Sequence, residues 1–208
     1  MDAGIAMDPN RHFASLFQVQ DDEGRRRAKF LSRVFGIFSE EIIRIWAAHP
    51  ACRYEDLGRP TVRMEGVQGF STLDFMLRDR SSGECFVTEL KCEIEYQNFR
   101  YLTLTEVAQI DHHDKPAFKA LRALASGRPG LSVQVARQAV RCDGAMLIWG
   151  AASDSGKSAV KATLGFRDVL TVAEMAHDLR AWDAPEFRQL LTERETWLRE
   201  LTTGLRTA

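Results

Sequence analysis

"STLDFMLRDRSSGECFVTELKCEIE", residues 71–95, decides the fold of this chain. In its first half Leu73, Phe75 and Leu77 alternate with Asp74 and Met76; in its second, Phe86, Thr88 and Leu90 alternate with Val87, Glu89 and Lys91. Period two is the mark of a strand, and Ser81-Ser82-Gly83 between the halves is turn chemistry, so the stretch predicts a β-hairpin. Successive strand side chains point to opposite faces, which puts Asp74 on one face of the first strand and Glu89 with Lys91 on one face of the second. A hairpin whose two faces coincide gathers two carboxylates and an ammonium. Hard divalent cations such as Mg²⁺ take carboxylate and carbonyl oxygens and bridge to substrate phosphates. A lysine beside them can hold or deprotonate a water. These residue types outline a site for metal-assisted phosphodiester cleavage.

Upstream, "RRRAKFLSRVFGIFSEEIIRIWAAHP", Arg25 to Pro50, predicts an amphipathic helix. Phe30, Val34, Ile37, Phe38, Ile42, Ile45 and Trp46 recur at three- and four-residue steps. At about 100° per residue, Glu41 falls inside this apolar stripe and Glu40 outside it. A carboxylate on a core-facing stripe is costly to bury unless it is paired or bound to a metal. Both an ion pair with an arginine at the stripe's edge and a metal contact satisfy Glu41.

Asp74, fourteen intervening residues and then Glu89-Leu90-Lys91, set in a hairpin behind such a helix, resembles the pattern of the PD-(D/E)XK nuclease superfamily. The resemblance covers mainly residues 61–95, and Leu73 stands where the name-giving proline would be. It implies an α/β fold of the restriction-endonuclease-like kind, a mixed β-sheet flanked by helices. It further implies an endodeoxyribonuclease that uses Mg²⁺ or Mn²⁺ to hydrolyse DNA. Asp74 and Glu89, with the Leu90 carbonyl, would hold the metal; Glu41 would join them, as an acid of the first helix often does in the superfamily. Lys91 would orient or activate the attacking water. The alternative within the same fold is a non-catalytic nucleic-acid-binding or assembly subunit.

At 208 residues, 45% of them hydrophobic, the chain reads as one domain with a proper core: an N-terminal segment 1–24, a core 25–150 carrying the active site, and a C-terminal hairpin and helices over 151–208. Its net charge of −1 is not that of a strongly basic nucleic-acid binder. DNA binding is therefore expected to need a homodimer or a DNA-binding partner protein, with Arg25, Arg26 and Arg27 as the best phosphate contacts. Only six of the 28 basic residues are lysines, a bias that base composition explains. Cys52, Cys85, Cys92 and Cys142 form no CxxC pair and no zinc spacing. A charged start followed by an apolar stretch is missing, and nothing approaches 18 apolar residues in a row, so a cytoplasmic, reduced protein away from the membrane is expected.

The remaining elements fill an α/β frame. Residues 61–70 predict a strand antiparallel to the one bearing Asp74. Thr103 and Glu106 form a capping box for a helix to about His113, and Asp114 with Pro116 opens another to about Ser126. "AMLIW", 145–149, reads as a buried strand, 159–166 as a further strand, and 171–182 and 184–201 as helices, the last burying Leu190, Leu191, Trp197, Leu198 and Leu201.

Two further motifs compete with this reading. "AASDSGKS", 151–158, fits a loose phosphate-loop pattern after an apolar strand, but no later strand supplies the Mg²⁺-holding acid, and the segment is equally good turn chemistry. "IDHHDKP", 110–116, looks like the Asp-His-His segment of DHH phosphoesterases, but the upstream aspartates are missing, and neighbouring helix residues point to different faces. Gln109 is a candidate to touch the hairpin site from its helix.

Overall fold

The computed structural model describes residues 8–15, 30–91, 101–111 and 113–207. Its elements are α1 (Pro9–Ser15), α2 (Phe30–Ala48), β1 (Tyr54–Asp56), β2 (Pro60–Met64), β3 (Ser71–Thr72), β4 (Phe75–Asp79), β5 (Cys85–Lys91), β6 (Thr103–Leu104), a 3₁₀ turn (Val107–Ile110) and α3 (Pro116–Ala125). There follow β7 (Leu131–Val135), β8 (Gln138–Ala139), β9 (Gly144–Trp149), β10 (Ala151–Ala152), α4 (Asp154–Leu164), β11 (Val169–Thr171), α5 (Val172–Ala181) and α6 (Pro185–Thr207).

The expected hairpin forms: β4 and β5 pair antiparallel, Phe75 opposite Thr88 and Met76 opposite Val87. They lie inside a mixed five-stranded sheet of order β1-β4-β5-β9-β11, in which β5, β9 and β11 run parallel. Asp79 organises the hairpin turn. Its buried carboxylate accepts from Ser81 N (2.8 Å), Ser81 Oγ (2.6 Å) and Arg53 Nε (2.7 Å). The Ser81 hydroxyl bond, ahead of the Arg53 bond, holds this carboxyl well below the usual aspartate range.

Apolar side chains fill both faces of the sheet. On one face Phe75, Leu77, Phe86 and Leu90 pack with Ile42, Ile43 and Trp46 of α2 and Val172, Met175 and Leu179 of α5. On the other, Met76, Val87, Leu147 and Trp149 meet Phe118, Leu121 and Leu124 of α3. Val62 and Val133 join this second cluster from a separate antiparallel sheet of order β3-β2-β7-β8. The chain passes from the small sheet to the large one between Thr72 and Phe75, and Asp74 sits on that crossing.

Several expectations change. Residues 60–64 belong to the small sheet, pairing with β3 and β7, and the antiparallel neighbour of β4 is instead β1. The expected helix from Thr103 is a short strand and a single 3₁₀ turn, with the capping box at Glu106 and Gln109. The expected strand 159–166 lies in α4, so the C-terminal part carries no hairpin there. Ser153 caps that helix by accepting from Gly156 N (3.0 Å), and Gly165 ends it in the left-handed region at φ 76°. Gly156 is required: a Cβ there would stand 2.3 Å from the Leu104 carbonyl oxygen. Of the α6 residues expected inside, Leu190 is buried, whereas Leu191, Trp197, Leu198 and Leu201 are exposed. The Arg25–Arg27 cluster lies outside the described residues.

Candidate active site

The first two functional candidates meet because β4 and β5 pair. Extending their register one residue past Phe75–Thr88 sets Asp74 opposite Glu89. Strand parity then separates the two sides of β5. Phe86 and Leu90 face α2 and α5, while Val87 faces α3, and Glu89 and Lys91 share its side. Lys91 Nζ accordingly lies 5.9 Å from the centroid of the Phe118 ring of α3.

The contacts are close. Lys91 Nζ donates to Glu89 Oε1 at 2.6 Å. Asp74 Oδ2 accepts the backbone N–H of Leu90 at 3.0 Å, and Asp74 Oδ1 accepts from Arg59 Nη2 at 3.3 Å. Glu89 is buried at 6% exposure, and among the described residues no donor reaches its Oε2, which lies beside the Asp74 carboxyl. An unsatisfied buried carboxylate oxygen is costly and calls for an explanation. Burial pushes the Glu89 carboxyl above its ordinary value; the Lys91 ammonium pulls the other way, and the neighbouring Asp74 carboxylate pushes it further up.

This environment can be tested by pH. The folded Glu89 carboxyl keeps its proton to higher pH than the unfolded one. The stability it contributes is fully present below the ordinary glutamate value of 4.5 and is lost as pH rises through the folded value. Glu89→Gln removes that dependence. Urea midpoints across a pH series should show the parent losing stability relative to Glu89→Gln as pH rises above 4.5. A difference that stays constant with pH would count against a buried, charge-penalised Glu89.

The donor set fits a hard cation in kind. Two carboxylates at one strand end, one with an unpartnered buried oxygen, are the oxygen ligands that Mg²⁺ takes while keeping several waters. Among the described residues, no group of three or more His, Cys, Asp or Glu side chains gathers to hold a metal.

Glu41 does not join Asp74 and Glu89. It lies on α2, which packs against the Phe86 and Leu90 face of the sheet, opposite to the face Glu89 shares with Val87. Its carboxylate is held instead by Arg194 of α6, at 2.6 Å and 3.1 Å. The ion pair with Arg194 satisfies this acid on the helix stripe.

The competing motifs are put to other uses. Only Ser153 lies between β10 and α4, so residues 151–158 make no phosphate loop, and Lys157 Nζ is bound to both Glu174 oxygens at 2.6 Å. His113 packs against Phe118 at 5.0 Å and Trp149 at 6.0 Å, and Asp111 pairs with Arg122 at 3.7 Å. His112 lies outside the described residues. Gln109 is buried in its own turn, its Oε1 accepting from Thr105 N and Glu106 N and its Nε2 donating to the Thr103 carbonyl. Sequence reasoning missed Arg59, whose contact with Asp74 exists only because β2 and β4 belong to different sheets that meet at this point.

No known family, curated protein or solved structure matches the chain. Among the described residues no helix is long and apolar enough to cross a membrane.

Proposed function

We propose that this protein is a metal-dependent nuclease of the PD-(D/E)XK type, with a restriction-endonuclease-like fold, that hydrolyses phosphodiester bonds of DNA. The observation that carries the reading is the buried Oε2 of Glu89, which has no hydrogen-bond donor among the described residues and lies beside Asp74 and Lys91. The fold around it supports the same reading: a helix, a β-hairpin bearing the acids, a helix, and then a strand parallel to β5. Asp74, Glu89 and the Leu90 carbonyl would hold Mg²⁺ or Mn²⁺. When bound, that ion would stabilise charge on the phosphate and the leaving oxygen. Asp74, anchored by the Leu90 N–H, keeps its carboxylate at the strand end. Lys91, which donates to Glu89 Oε1, would orient a water bound beside that carboxylate or move its proton.

The test is cleavage of plasmid and linear duplex DNA with Mg²⁺, with Mn²⁺ and with chelator. Metal-dependent cutting is the expected result. A pure, folded protein that binds DNA without cutting it under any of these conditions would be a non-catalytic binding subunit, and the nuclease reading would fall.

The protein is further proposed to work as a homodimer through α2 and α6. Leu191, Leu198 and Leu205 recur every seven residues on α6 with Arg194 and Leu201 between them, the spacing of a helix-pairing seam. Leu191, Leu198, Leu201 and Leu205 are all exposed. With Val34 and Ile37 of α2, Leu191 and Leu198 line a groove of about 600 Å³. A seam of this period is complementary to another helix of the same period, which a second copy supplies. Sedimentation velocity should give a dimer, and Leu198→Glu a monomer. A parent chain that stays monomeric at tens of micromolar would rule the homodimer out.

A further inference from the structure

The chain is nearly neutral as a whole, but its charge is not evenly spread. Residues 57–73 and 127–142, which build the small sheet and its connections, hold five arginines and one acid, Glu65. That is a net charge of +4 in a chain of net −1. Arg59, Arg63, Arg128 and Arg137 are all exposed. Arg141 is paired with Asp143, and Arg59 touches Asp74. Among the described residues, Arg63, Arg128 and Arg137 have no ion-pair partner.

The sheet's register gives the side on which Arg63 stands. Pro60, Val62 and Val133 are buried, while Thr61, Arg63, Thr72, Ser132 and Gln134 are exposed or half-buried. Thr61 lies opposite both Thr72 and Gln134, and Arg63 opposite Ser132, so these five side chains share the outward face. Hydroxyls, an amide and a guanidinium are the donor types that contact nucleic-acid phosphates and sugars, and the one carboxylate of the segment, the exposed Glu65, follows at the end of the strand. A recess of about 480 Å³ opens there beside Arg63, Glu65, Val67 and Ser132, so Arg63 and Ser132, and not the Glu65 side, are the phosphate-contacting part of it.

The turn that carries Arg137 adds an independent observation. β7 and β8 are joined by Ala136 and Arg137 alone, at φ 49° and 68°. Two left-handed residues in a two-residue hairpin turn favour Asn-Gly, and a residue with a Cβ is disfavoured there. An arginine held at such a tip against its backbone preference points to use of its charge.

We infer that the outward face of the β3-β2-β7-β8 sheet, bordered by Arg128 and Arg137, binds the phosphate backbone of duplex DNA and leads it past Arg59 to Asp74. From Arg59 to Arg63 the strand covers about 13 Å at 3.3 Å per residue. A duplex carries one negative charge per about 1.7 Å of its axis, so several phosphates lie within that reach. The inference rests on the nuclease reading for its choice of substrate, and it relocates the basic surface that the overall charge conceals.

The test is binding of a fluorescent 20-base-pair duplex in chelator, so that cutting plays no part, measured across a salt series. The triple variant Arg63→Gln, Arg128→Gln, Arg137→Gln should lower the slope of log affinity against log salt by about two to three, at about 0.9 per phosphate contact. Replacing the exposed Arg180, Arg199 and Arg206 of α5 and α6 by Gln should leave the slope as in the parent. The pair Ala136→Asn with Arg137→Gly should raise the melting temperature while lowering the slope by about one. An unchanged slope in the triple variant, or an equal loss in the α5 and α6 variant, overturns the inference. Binding with the expected slopes but no metal-dependent cutting by the parent defeats the nuclease reading alone.

Discussion

Asp74→Asn and Glu89→Gln are each expected to reduce Mg²⁺-dependent DNA cleavage by more than about 100-fold, the upper end of what losing a mere supporting partner of a metal ligand costs. The amide variants are the right ones because both acids also serve the fold. Asp74 accepts the Leu90 N–H, and an alanine there would leave a strand donor unpaired at about 1–3 kcal/mol. An asparagine oxygen keeps that bond. Glutamine at position 89 relieves a buried charge, so Glu89→Gln should be at least as stable as the parent at neutral pH while losing cleavage. Loss of function without loss of stability separates a site from a structural ion pair. If the Lys91–Glu89 pair only held the strand end together, the reverse pattern would appear: a weaker fold and unaltered cutting. Supplying Mn²⁺ in place of Mg²⁺ should restore part of the activity to Asp74→Asn more readily than to Glu89→Gln, because position 89 holds the unpartnered oxygen.

The hairpin was readable in the sequence because both strands keep period two and the turn residues stand between them. The two central acids and the lysine followed from parity alone. Which face of the sheet each helix covers did not follow, and Glu41 shows why. A helical wheel places Glu41 on the stripe that packs inward, but the wheel does not say that α2 packs on the side of β5 away from Glu89. The small sheet was illegible for a different reason. Its strands have two to five residues: Leu131, Val133 and Val135 do alternate with Ser132 and Gln134, but so short a run does not say which distant strand it pairs with. At the start of α4, Gly156 with Ser153, Ser155 and Ser158 read as turn chemistry. The serine that decided the outcome is Ser153, as the N-cap, with Gly165 as the left-handed stop, and both signals were present in the sequence. The α6 residues from Leu191 to Leu201 do repeat with helical spacing, but spacing identifies an apolar face and not what covers it.

Lys91→Ala is expected to lower the cleavage rate by about 10²- to 10⁴-fold, the range of a positioned acid–base group, while leaving duplex affinity in chelator unchanged. Among the described residues Lys91 has one carboxylate contact, to Glu89 at 2.6 Å, and an aromatic neighbour, Phe118. Neither belongs to the basic face of the small sheet, so removal of the ammonium should fall on kcat and spare KM. A structural role makes the opposite demand. Lys91→Arg would preserve charge and the ion pair with Glu89, and would rescue a lysine that served only as counter-ion. It would not rescue a lysine that gives up or positions a proton, because a guanidinium stays protonated and presents a planar fork in place of a point donor. The pair of variants therefore decides the role. Arginine activity near the parent's, with alanine inactive, assigns Lys91 to charge balance. Inactivity in both, with folding and DNA affinity intact, assigns it to the water. Full activity in Lys91→Ala removes it from the site and leaves Asp74 and Glu89 to act without a lysine.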